Sequence, residues 1–138
     1  MDIMKVNRKI KAFEDLIVRK EKNPYKGELY TGVDLGTASI VLCVVDEEGN
    51  LVSGAFERCN VVRDGVVVDF VKACEIVRRL KKQVEDILGV TLIKASGAIP
   101  PGVTEGSYKI VKNVIEAAGF NVVRIVDEPT AAARVLSV

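Results

Sequence analysis

The 138-residue sequence contains no histidine and no tryptophan, and aromatic residues make up only 5% of it. Without histidine, the serine–histidine and cysteine–histidine nucleophile systems are excluded, as are the common histidine-bearing zinc sites. So few aromatics disfavour a base-stacking platform. Charge of one sign is also lacking. Twenty basic and 19 acidic residues leave a net charge of +1, too little for a broad nucleic-acid footprint, so no nucleic-acid partner is expected. No apolar run reaches the ~18 residues of a membrane span, although 49% of the residues are hydrophobic and the mean hydropathy is +0.22. The opening residues are charged rather than an apolar leader. A cytoplasmic protein with no membrane partner is therefore expected. Cysteine is sparse, odd in number and widely spaced. Cys43, Cys59 and Cys74 form no CxxC pair and read as reduced, buried or half-buried thiols.

What is present suggests one compact domain with an appended arm. Residues 1–24 form the arm. Ile3, Val6, Ile10, Phe13 and Ile17 recur at spacings of three and four, which puts them on one helical face. Lys5, Arg8, Lys9, Lys11, Arg19, Lys20 and Lys22 cover much of the other face, and Asn23-Pro24 is expected to stop the helix. Such an arm can pack on its own domain or dock on a partner protein. Glu14, Asp15 and Glu21 dilute its basic face and weaken a membrane-surface reading.

Residues 25–138 read as a mixed α/β unit. Valine-rich strands are expected over 29–33, 40–45 and 51–57, joined by short links as an antiparallel meander. Arg63-Asp64-Gly65 reads as a tight turn between short valine runs. A helix follows over 70–88, with Gly89 as its natural stop. A strand over 91–99, a helix from Thr104-Glu105 to Ala118, a strand over 122–126 and a last helix after Pro129 complete the order. A meander feeding βαβ units predicts a mixed sheet with helices on its faces.

Two segments carry candidate chemistry. Asp34-Leu35-Gly36-Thr37-Ala38-Ser39 lies between two strands, so it is neither a Walker loop nor a Rossmann turn, both of which need a following helix. A tight hairpin with Gly36 can aim several backbone amides into one concavity that suits phosphate. Thr37 and Ser39 add hydroxyls, and Asp34 could hold magnesium through water. A plain hairpin turn accounts for the same residues equally well. The second segment, Val126-Asp127-Glu128-Pro129-Thr130-Ala131-Ala132-Ala133, sits at a strand-to-helix junction. Glu128 there can orient an attacking water, or it can be a helix-start acid favoured by the macrodipole. The loop Ser96 to Gly102 reads as shaped by its glycines and prolines, and such loops often line sites.

Gly32-Val33-Asp34-Leu35-Gly36-Thr37 resembles the first phosphate motif of the actin, hexokinase and DnaK superfamily. Asp127-Glu128-Pro129-Thr130-Ala131-Ala132-Ala133 resembles the connecting-helix motif of DnaK-type chaperones and the bacterial actins. The pair, roughly 90 residues apart in the right order, is more specific than either alone. The chain from Tyr30 to Val135 is more similar still to a chaperone-like family of ethanolamine utilization. Supporting runs are Val61 to Phe70, Ile76-Val77-Arg78-Arg79 and Pro100-Pro101-Gly102.

The resemblance implies a ribonuclease H-like lobe, the first half of an actin/DnaK ATPase fold. It implies that Asp34 helps place magnesium, that Gly36, Thr37 and Ala38 meet the phosphates of ATP, and that Glu128 acts near the attacking water. It also implies a protein client, such as an enzyme of ethanolamine utilization or a component of its microcompartment. The family's second phosphate loop, Asp-x-Gly-Gly-Gly-Thr, and its adenosine motif have no counterpart before Val138. The second lobe is thus expected to be absent, and ATP and magnesium to be held weakly or not at all by this chain. Val135 and Leu136 are expected to form an apolar seam prone to self-association. A filament protein of the bacterial actin type, a small-molecule kinase and a nucleotide-free interaction domain are the alternatives. No substrate-binding constellation supports the kinase.

Overall fold

The computed structural model describes residues 3–64, 66–99 and 105–127. The expected last helix, Glu128, the Val135–Leu136 seam, Gly65 and the Pro100–Gly102 turn lie outside them. The elements run α1 (Ile3–Arg19), β1 (Tyr30–Leu35), β2 (Ser39–Val45), β3 (Leu51–Arg58), β4 (Val62–Arg63), β5 (Val66–Val67), α2 (Phe70–Leu88), β6 (Lys94–Ile99), α3 (Glu105–Ala117) and β7 (Asn121–Asp127).

Five strands make one mixed sheet in the order β3-β2-β1-β6-β7. The meander supplies antiparallel β1–β2 and β2–β3 pairs, while β6 and β7 add in parallel to β1. Parallel addition requires a crossover each time, and α2 and α3 are those crossovers. The small β4–β5 ladder stands apart from the main sheet.

Strand alternation decides which side each helix takes. Val33, Leu42 and Ala55 face one way in register, with Leu35, Ile40 and Val44, and all are buried. They pack with Ile76, Val77, Leu80 and Val84 of α2 and with Val111, Val114 and Ile115 of α3 in one core. The apolar stripe of α2 explains its length. Asp69 caps its start by accepting from the Lys72 N–H at 3.0 Å, and Gly89 ends it at φ 73.

The opposite face of the sheet takes α1 at β3. Gly54, paired with Cys43, has room only because it lacks a side chain. A Cβ there would collide with the Phe13 ring and stand 2.7 Å from the Leu42 carbonyl oxygen. Lys11, Arg19, Lys20 and Lys22 of the basic face are exposed, and Val18 is 78% exposed. The helix stops at Arg19, short of the expected Asn23-Pro24 boundary. Lys20 turns left-handed at φ 53, the Glu21 N–H reaches back to Leu16 O and the Lys20 N–H to Ile17 O, a Schellman-type ending. The following segment is tied down as well. Asn23 donates from its backbone to Val52 O at 2.8 Å and from its side chain to Leu51 O, and the Ser53 hydroxyl donates to Glu21 O.

All three cysteines are free thiols, with Cys43 and Cys74 buried and Cys59 half-buried. Burial pushes the Cys43 thiol up to about 12, so it stays protonated and unreactive.

Candidate phosphate-binding site

The central strand β1 runs straight into the candidate hairpin. Leu35 pairs with Ile40, and the Gly36 N–H donates to Ser39 O at 3.0 Å. Thr37 and Ala38 are thus the two residues of a tight loop, and both are exposed. Neither of their N–H groups makes a backbone hydrogen bond among the described residues. Two amides at the loop tip are therefore available to an anion, which is what an amide nest requires. The loop does not hang freely, because Ala38 O accepts from the Cys59 N–H at 3.0 Å, pinning the tip to the end of β3.

Gly36 is needed for closeness rather than for an unusual backbone angle. A Cβ there would stand 2.9 Å from Ser39 O, the acceptor that closes the loop. The sequence points to glycine at this turn, but it does not reveal this particular steric reason.

Asp34 lies two residues before Gly36, half-buried, on the sheet face opposite α2 and α3. It sits between Val41 of β2 and Ala98 of β6 in register. A single carboxylate at that place would leave most of a magnesium shell to water and phosphate oxygens, the usual arrangement for that ion. Among the described residues no cluster of cysteine, aspartate and glutamate forms a ready-made metal site.

Topology gathers the remaining candidate to the same end of the sheet. In the parallel pairs, Asp34 lies beside Ala98, and Ile99 beside Asp127. The carboxyl ends of β1, β6 and β7 are thus neighbours, and Glu128 follows β7 directly in sequence. Two strand spacings, about 10 Å, separate β1 from β7. In open α/β sheets, ligands bind at the carboxyl ends of parallel strands. The hairpin and the end of β7 both meet that rule; Glu128 itself lies outside the described residues.

A cleft of about 430 Å³ elsewhere, between β3 and α2, is lined by Phe56, Glu57, Arg79, Leu80, Lys82, Gln83 and Asp86. It lies beside the outer edge of the sheet, not at the hairpin, and sequence reasoning did not find it. Glu57 and Arg79 meet there in a two-pronged ion pair at 2.6 and 2.9 Å, and the guanidinium holds Glu57 below the usual carboxylate range. Both groups are substantially exposed, so the pair adds little to stability.

Strand order, helix placement and the hairpin at the end of the central strand define a lobe of the actin/DnaK ATPase fold. A family model described as Hsp70 protein matches residues 70–135. The crystal structure of MreB5 of Spiroplasma citri bound to ADP superposes with a TM-score of 0.57 at 22% identity, over 77% of this chain and 40% of that one, a likeness of fold. The sequence likeness is narrower. Ethanolamine utilization protein EutJ of Escherichia coli K12 is 43% identical over 108 residues, 78% of this chain and 38% of that protein. The crystal structure of EutJ from Carboxydothermus hydrogenoformans matches at 47% identity and a TM-score of 0.89, over 98% of this chain and 50% of that one. The chain is a homologue of EutJ over most of its length, and it spans about two fifths to one half of these relatives.

Proposed function

We propose that this chain supplies the first jaw of an ATP site in a chaperone-like protein of ethanolamine utilization, one that assists or reactivates a pathway enzyme. The observation that carries the nucleotide reading is the Gly36–Ser39 loop, with its free exposed amides at the end of the central strand. The pathway reading rests on the likeness to EutJ.

In this reading the Thr37 and Ala38 amides donate to phosphate oxygens, with the hydroxyls of Thr37 and Ser39 close by. Asp34 orients water around magnesium, which, when bound, neutralises phosphate charge. Glu128 orients the attacking water. The client would be a protein, an enzyme of the pathway or a component of its microcompartment, and the protein would be cytoplasmic. Among the described residues no helix is long and apolar enough to cross a membrane.

One jaw is a weak binder, because a charged ligand clamped on one side keeps much of its contact with water. Calorimetric titration of this chain with magnesium–ATP should give a dissociation constant no tighter than about 1 mM. Micromolar affinity would contradict the half-site reading. Extending the chain with the second half of a EutJ relative should bring the affinity into the micromolar range. In that longer form Glu128→Ala should lower ATP turnover about 100-fold, and unchanged turnover would remove Glu128 from the mechanism.

A further inference from the structure

The end of β3 lies against the candidate hairpin. Arg58, its last residue, is the register partner of Ser39, whose carbonyl closes the loop. Partners of this kind stand about 5 Å apart, side chain beside side chain. The next residue fixes the same placement independently, because the Cys59 N–H donates to Ala38 O at the loop tip at 3.0 Å.

Alternation settles which way the Arg58 side chain goes. Glu57 pairs with Ile40, whose side chain is buried in the core, so Glu57 is turned toward α2, where Arg79 binds it at 2.6 and 2.9 Å. Arg58 is turned the other way, onto the face that carries Ser39 and Asp34, and it is exposed. The carboxylate next to it in sequence is thus taken up on the far side of the sheet. A guanidinium, a hydroxyl and a carboxylate share one face at the end of the strands, beside the loop that offers the Thr37 and Ala38 amides. Asp34 alone would repel an anion there. A full positive charge at Arg58 offsets that repulsion, and the planar fork of arginine suits paired phosphate oxygens.

We infer that Arg58 is a further ligand of the hairpin site, its guanidinium binding phosphate oxygens of a polyphosphate whose other oxygens the Thr37 and Ala38 amides hold. The inference rests on the phosphate reading of the hairpin and adds to it a charged group on β3.

A magnesium–ATP titration of the isotopically labelled chain at low ionic strength, followed by NMR, tests it. Arg58→Gln should weaken binding about 10-fold, read from the amide shifts of Gly36, Thr37, Ala38 and Ser39. The spectrum of the free chain away from residue 58 should be unchanged, because the side chain is exposed. Arg58→Lys keeps the charge without the fork and should recover part of the loss. Arg79→Gln removes an equal charge from the other face and should leave the affinity as it is. The Arg58 Nε–H resonance should itself move during the titration, which a merely structural role would not produce. Raising the salt should narrow the gap between wild type and Arg58→Gln. Hairpin shifts with the same affinity in wild type and Arg58→Gln would overturn the inference and leave the hairpin reading standing. Equal losses in Arg58→Gln and Arg79→Gln would overturn it too, since net charge would then account for both. Hairpin amides unmoved in the wild-type chain would overturn the inference and the hairpin reading together.

Discussion

Replacing Gly54 with valine should destabilise the chain by about 3 kcal/mol and loosen α1 from the sheet. The added Cβ would stand 2.7 Å from the Leu42 carbonyl oxygen and inside the space taken by the Phe13 ring. The ring can swing away, but the carbonyl belongs to the β2 ladder and cannot move without breaking pairs. The segment after α1 has its own anchors at Leu51, Val52 and Ser53, so the chain beyond residue 20 should stay in place while the helix lifts. Urea unfolding followed by circular dichroism gives the stability, and amide exchange over residues 11–19 reports the helix. Phe13→Ala alone should cost about 3 kcal/mol through lost burial. The Gly54→Val and Phe13→Ala losses should fall short of additive when combined, because the two residues touch. Full additivity would mean that Phe13 does not rest on Gly54.

The second large effect is at the hairpin, where Gly36→Val should abolish whatever phosphate binding the chain has. The new Cβ would stand 2.9 Å from Ser39 O and force the closing hydrogen bond open. The cost in stability should be small, about 1–2 kcal/mol, because the loop is a surface turn and the core beneath it is intact. The loss of function should be much larger. The Thr37 and Ala38 amides are held at the loop tip by the Gly36–Ser39 bond and the Cys59–Ala38 tie. In a chain extended by the second half of a relative, Gly36→Val should weaken magnesium–ATP binding at least ~100-fold, the loss of two amide contacts to a charged group. Wild-type affinity in that variant would mean that the loop does not touch the phosphates.

The fold was legible wherever a local pattern decides the outcome. The stripe of α2 and the αL glycine after it set both its ends at Phe70 and Leu88, where the periodicity places them. The valine-rich runs give the meander, because alternation within a strand and short turns between strands are local. Boundaries were lost where a tertiary or unusual local choice intervened. Strand β6 begins at Lys94 rather than Thr91, since the Leu92 N–H is drawn to the Glu85 carboxylate at 2.7 Å instead of to a strand. Helix α1 ends early because Lys20 adopts a conformation usually left to glycine.

At the candidate site, Asp34-Leu35-Gly36-Thr37 could be read as a hairpin between strands, and the structure places it so. The tie from Cys59 to Ala38 could not be read, because it joins residues far apart in sequence whose closeness depends on the β2–β3 register. The exposure of Phe56 was hidden for a similar reason. Only the strand order shows that β3 is the outer strand, and only then does an apolar residue at position 56 stand out.

The most direct test of the phosphate-hairpin claim is a magnesium–ATP titration of the isotopically labelled chain, read at each backbone amide by NMR. The account predicts that Gly36, Thr37, Ala38 and Ser39 shift first and furthest, with weak saturation in the millimolar range, and that Gly36→Val removes those shifts. Shifts confined to other surfaces, such as the β3–α2 cleft, with the four hairpin amides unmoved, would contradict it.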